Sequence, residues 1–270
     1  MLISLQTIAQ DSSTTYIQQH AIKLERLDKL NEAAYQLLAS YQIIMVGEMH
    51  GTNEAALFAK GITQLFSEHG DSVLLGLEIP NKMMKRYLTE QTIESVYQSK
   101  FFANPDYLSG RECYTWADLI AAFHQNEKVK IFFFDCDTSL QAYNDRDFLM
   151  YENLKNDFIK HPKYKMVTIS GNIHNQILTD RTTMGKFLAN DSTLNVKNKI
   201  CSLNEFYIKG EMRNNSGNGL QLKQIDYGEN SVSKAVDYDY FLMLANPKRK
   251  YQWTGIFFTR NITAAKMVKE

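Results

Sequence analysis

Cysteine is scarce in this chain: three residues in 270, Cys113, Cys136 and Cys201. A set so sparse, odd in number and widely spaced argues against a disulfide framework or a zinc ribbon, and leaves the thiols as small apolar side chains. Proline is scarce too, at four, and no Pro/Gly/Ser-rich stretch divides the sequence. Residues 1–270 therefore read as one domain. Net charge is lacking altogether, with thirty basic residues against thirty acidic. No global field recruits nucleic acid or an anionic membrane, so any partner must be found through a local pocket. No apolar run approaches the ~20 residues of a membrane span, and no integral membrane segment is expected.

The N-terminus, "MLISLQTIAQ", has a short apolar run and the small-x-small pattern Thr7-Ile8-Ala9, but no basic segment before it. Residues 1–12 read either as the remnant of a truncated signal peptide, placing the protein in the periplasm or outside the cell, or as a frayed terminus of a cytoplasmic protein.

What is present is a hydrophobic content of 44%, enough for a sizeable core, arranged in alternating periods. Residues 14–39 predict a helix with Ile17, Ala21, Leu24, Leu27, Leu30 and Leu37 on one side. "YQIIMVG" (41–47), "SVLLGLEIP" (72–80), "VKIFFFDCD" (129–137) and "YKMVTISG" (164–171) predict buried strands. Helical patterns over 53–70, 144–161 and 181–190 separate or follow them, and 81–126 reads as a helical insertion broken by a loop. A further strand begins near 199, and "EFYIKGE" and "YDYFLMLA" predict strands around the turn "NNSGNG". Short apolar strands separated by helices imply an α/β fold: a mainly parallel sheet with helices on both faces. In such a sheet ligands collect beyond the carboxyl ends of the strands.

The polar residues of the chain gather at those ends. The first strand ends in Gly47-Glu48-Met49-His50, the second in Glu78, the third in Asp135 and Asp137, the fourth in Gly171-Asn172-Ile173-His174. Two Gly-x-x-His turns, each directly after an apolar strand, make His50 and His174 the leading candidates. Together they would bind a divalent metal, with Glu48, Glu54 or Glu78 as the carboxylate ligand. Without metal, one imidazole would take a proton from water while a carboxylate orients it. Arg146 and Asp147 open the helix after the third strand. The arginine suits a substrate carboxylate or a developing oxyanion, and the aspartate suits a helix N-terminus. Arg111, Tyr114 and Trp116 would supply a wall of the pocket. Glu54 also reads as an ordinary first-turn acid, and His20, His69, His124 and His161 read as solvated.

The stretches "GEMHGTNEA", "GLEIP", "DRDFLMYENL", "SGNIHN" and "RTTMGKFLA" together resemble the erythromycin esterase / ChaN haem-binding / Tiki superfamily, over about residues 41–190. The resemblance implies an α/β fold with active groups at the carboxyl rim of the sheet. It places Glu48, His50, Glu78 and His174 on the family's active-site positions and Arg146 on its arginine after the third strand. The esterase branch implies water activated by histidine and glutamate for attack on a lactone. The Glu48–His50 spacing, one residue shorter than in that branch, is more like the ChaN and Tiki branches, which imply haem handling or metal-dependent proteolysis. The leading expectation is an esterase-like hydrolase of a small-molecule or peptide substrate, with a metal ion left open. Its rivals are a haem- or iron-binding protein without turnover and a metal-dependent peptidase. The sequence leaves the oligomeric state open.

Overall fold

The computed structural model describes residues 14–104, 109–136, 145–215, 219–246 and 251–269. Residues 1–12 and Asp137, singled out above, lie outside that set. The strands are β1 (Ile22–Leu24), β2 (Ile43–Glu48), β3 (Val73–Pro80), β4 (Val129–Asp135), β5 (Lys165–Gly171), β6 (Ile200–Asn215), β7 (Leu220–Asp226), β8 (Tyr240–Leu244) and β9 (Gly255–Ile262). They form one nine-stranded sheet in the order β1-β8-β9-β6-β2-β5-β3-β4, with β7 paired to β6 off that path. β2, β3, β4, β5, β6 and β9 run parallel, while β1, β7 and β8 join antiparallel.

The central strands are apolar on both faces because both faces are covered. Every residue of β2 and β3 is buried. On one face Ile44, Val46, Leu75 and Leu77 pack with Phe58 and Ile62 of helix α2 (Glu54–Glu68) and Trp116 and Ile120 of helix α3 (Tyr114–Phe123). On the other, Ile43, Met45, Leu74 and Met166 pack with Met150 and Leu154 of α4 (Arg146–Lys160) and Leu188 of α5 (Met184–Asn190). The insertion after β3 is helical as expected, with short helices Lys85–Glu90, Ile93–Tyr97 and Lys100–Ala103 before α3. Among the described residues no helix is long and apolar enough to cross a membrane. The three cysteines are buried thiols.

Two expectations are corrected. Residues 14–39 are not one helix. After a helix over 14–20 the chain extends into β1, whose Ile22 pairs with Leu242 of β8. It resumes as α1 (Glu32–Leu38), started by the Asn31 side chain accepting from the Ala34 N–H at 3.0 Å. A free sheet edge captured the Ile22–Leu24 backbone against its helical period. "EFYIKGE" and "YDYFLMLA" are not strand partners: the former lies within β6, which pairs antiparallel with β7 with Asn215 opposite Leu220, and the core of the latter is β8, between β1 and β9.

Candidate functional site

The parallel register brings the strand ends level. Glu48, the last residue of β2, lies opposite Gly171, the last residue of β5. Beyond them the chain turns, with the Asn172 N–H donating to Glu48 O at 3.1 Å and the His174 N–H to Gly171 O at 3.0 Å. Gly171 lies beneath both imidazoles. A methyl built on it would sit 3.1 Å from Cε1 of His50 and 3.5 Å from Cδ2 of His174. The two Gly-x-x-His turns therefore bring their rings to one place at the carboxyl rim.

The rings have different partners. Nδ1 of His50 is 2.7 Å from Oε1 of the buried Glu48. Against a carboxylate, which only accepts, Nδ1 carries the proton and Nε2 presents its lone pair. The His50 side chain is 40% exposed, so that lone pair can meet water. His174 is 18% exposed, and its Nδ1 lies 2.9 Å from Oδ1 of Asp147. The same oxygen accepts the Met184 N–H at 2.7 Å, so one carboxylate orients the ring and holds the start of α5. Influences compete at Nε2 of His174, which lies 3.5 Å from Nη1 of Arg146 and 3.9 Å from Oε1 of Glu78. Desolvation works against the charged ring, and so does the guanidinium. The Asp147 hydrogen bond and the Glu78 charge outweigh them, and the pKa of His174 lies above its ordinary value.

Beside His174 stands Glu78, fully buried in β3. Its Oε1 receives Nη1 of Arg111 at 2.8 Å and a shorter contact from Nη2 of Arg146. Its Oε2 accepts the Gly171 N–H at 2.7 Å. Burial opposes its ionisation, but the charges of Arg111, His174 and Arg146 prevail and hold the carboxyl well below the usual range. Arg111, buried between strand ends, also places Nε 3.8 Å from Oε1 of Glu48 and so links the two glutamates. Arg146 is gripped by Asp135, which ends β4, through Nε at 3.0 Å and Nη2 at 2.9 Å. A two-pronged grip of this kind fixes a guanidinium plane.

The residues expected at a metal centre do not assemble as one. Among the described residues no group of three or more His, Cys, Asp or Glu is arranged to hold a metal ion. Each Nδ1 is occupied by a carboxylate, and Nε2 of His174 looks toward a guanidinium where a cation would have to sit. Glu54 is turned away: its Oε1 accepts from the N–H and hydroxyl of Thr263 at 3.0 and 2.6 Å. Burial pushes its pKa up, against those hydrogen bonds. A porphyrin face needs apolar walls, whereas the side chains meeting the two imidazoles here are carboxylates and a guanidinium.

Sequence reasoning gave Arg111 as a pocket wall, Asp147 as a helix-start acid and Asp135 as a polar residue ending the third strand. The structure makes each of them a partner of the central cluster. Glu205, in β6, was missed: its Oε2 accepts the Met49 N–H at 2.9 Å, between Glu48 and His50. Its signal was an acid at the inward position that follows Cys201 and Leu203 in the strand alternation.

No protein-family model matches the sequence, and no curated protein matches it. Solved structures do. A Bacillus cereus protein superposes with a TM-score of 0.73 at 11% identity, covering 96% of this chain and 99% of that one. A mutant of the erythromycin esterase EreC, in its open conformation, superposes with a TM-score of 0.62 at 11% identity, covering 90% of this chain and 97% of that one. The haem-binding ChaN of Campylobacter jejuni reaches a TM-score of 0.43 at 12% identity, over 65% of this chain and 86% of that one, too distant to carry an argument. What this chain shares with the erythromycin esterase EreC is its fold.

Proposed function

We propose that the chain is a hydrolase of esterase-like type, acting on a carboxylic ester or lactone without a metal ion. The observation that carries this reading is the meeting of two unlike imidazoles over Gly171: one open and backed by a single carboxylate, the other enclosed, backed by Asp147 and flanked by a fixed guanidinium. Nε2 of His50 takes a proton from water, with Glu48 stabilising the imidazolium that forms. The hydroxide oxygen adds to the ester carbonyl carbon. The oxyanion so created is met by Arg146 and the His174 ring, held by Asp135, Glu78 and Asp147 in the orientation the charge requires. Collapse breaks the acyl–oxygen bond, and the proton on His50 passes to the departing alkoxide. Ester and water become acid and alcohol, and the enzyme is restored.

The fold likeness to an erythromycin esterase supports this class of reaction but not a macrolide substrate. Hydrolysis of a panel of p-nitrophenyl esters and simple lactones tests the reading. Turnover is expected, with kcat falling by about 10²–10⁴ in His50→Gln, the scale of a positioned general base. No turnover across the panel, or an undiminished rate in His50→Gln, would sink the proposal.

A further inference from the structure

We propose that Glu205 is a positioning residue for the Glu48–His50 pair: from the neighbouring strand, its carboxyl oxygen fixes the turn that aims the imidazole. The proposal rests on the hydrolase reading for its consequence in turnover, but not for its geometry.

β2 ends at Glu48, and its ladders with β5 and β6 stop there or one residue before, so Met49 lies beyond both. β6 runs on past that point, its Asn204 level with Gly47. The next residue, Glu205, reaches under the turn, and its Oε2 accepts the Met49 N–H at 2.9 Å. The Thr52 hydroxyl lies 2.9 Å from Met49 O and 3.4 Å from the same Oε2, so its single hydrogen serves one or the other. The turn is thus tied at both ends of the segment that contains His50. A buried backbone donor left without an acceptor would instead seek water, and the turn would move with it.

The choice of a carboxyl needs explaining, because among the described residues no ion pair reaches Glu205. Burial, and then the nearby Glu54 and Glu48 charges, push its pKa well up, against the Met49 and Thr52 hydrogen bonds. Burial thus favours the uncharged acid, the form that needs no counter-ion in the core beneath the turn. An uncharged acid still offers one carbonyl oxygen to an N–H, and glutamine would do the same. Oε1 of Glu205 and Oε2 of Glu54 are both sealed without a hydrogen-bond partner, so the rest of the carboxyl contributes no alternative anchor.

The test compares E205Q with E205L in the full chain, reading kcat and KM for the ester panel. The His50 tautomer is read by nitrogen NMR with labelled histidine and assigned through His50→Gln. In the intact protein and in E205Q the proton is expected on Nδ1, with kcat within about twofold. In E205L the ring is expected to revert toward the Nε2–H form of free histidine. There kcat should fall up to about 10²-fold with KM unchanged, the scale of a misplaced catalytic group. Should E205L not fold, E205D, which withdraws the oxygen by one methylene, is read the same way. An unchanged tautomer and kcat in the variants that remove the oxygen would overturn the proposal, as would equal damage in E205Q. The tautomer needs no turnover, so it separates failure of this proposal from failure of the hydrolase reading.

Discussion

The turns Gly47–His50 and Gly171–His174 have the same spacing, follow parallel neighbouring strands and end in rings that meet over one glycine. Their surroundings nevertheless differ. The first ring leans on one glutamate and faces outward. The second is backed by an aspartate, lies beside a guanidinium and is more enclosed. In the proposed chemistry one ring removes a proton and the other meets the oxyanion. The motif is silent on that division, which comes from Asp147, Arg146 and Glu78, contributed by other elements.

The comparison breaks most severely at the residue both halves depend on. Glu78→Leu removes the carboxylate between Arg111 and Arg146 and leaves two enclosed guanidinium groups short of a partner. A loss of about 3–5 kcal/mol in unfolding free energy is expected from urea denaturation, because an uncompensated buried charge is far costlier than a replaced pair is beneficial. A loss below about 1 kcal/mol would mean that water already screens the cluster.

A smaller effect sharpens the contrast through pH. The folded-state pKa of His174 is raised, whereas an unfolded histidine titrates near about 6.5. The stability its charged ring contributes is fully present below about pH 6.5 and is lost as pH rises through the higher folded value. The stability gap between the parent and His174→Gln should therefore be widest in mild acid and narrow toward alkaline pH in a series of urea midpoints. A gap that widens with pH would show a ring buried in its neutral form.

The smallest change expected is at Gly171. The added methyl of Gly171→Ala would lie 3.1 Å from Cε1 of His50, near enough to displace the ring by a few tenths of an ångström. Ester turnover should fall by roughly tenfold, less than the ~10²-fold of a full ångström of misplacement, with little change in melting temperature. Equal activity in both proteins would separate the rings from the reacting centre.

Much of this was legible in the sequence, because burial on both faces writes a strand as a continuous apolar run. "YQIIMVG", "SVLLGLEIP" and "YKMVTISG" became β2, β3 and β5 within a residue or two, and α2 and α4 followed their helical periods. The convergence of strand ends then follows from parallel connections alone. What stayed illegible was pairing. β1 is three residues held by an edge, and β9, "GIFFTRNI", carries no periodic signal that separates it from a loop. The candidate metal ligands do not gather among the described residues for the same reason: which acid meets which histidine is decided by neighbouring strands and helix starts. Spacing alone left Asp147 a helix-start acid and Glu54 a candidate ligand.

One glycine carries a consequence for how the protein is made. Gly51, directly after His50, has a backbone φ of +81°, and a Cβ there would fall 1.7 Å from Arg213 O. Its carbonyl accepts the Arg213 N–H at 3.0 Å and the Ala265 N–H at 2.9 Å. A loop at residue 51 is thus clasped by residues more than 160 positions later in the sequence. A ribosome must deliver Ala265 before His50 has its final seat, and a fragment ending ahead of it would carry His50 with only the Arg213 half of the clasp.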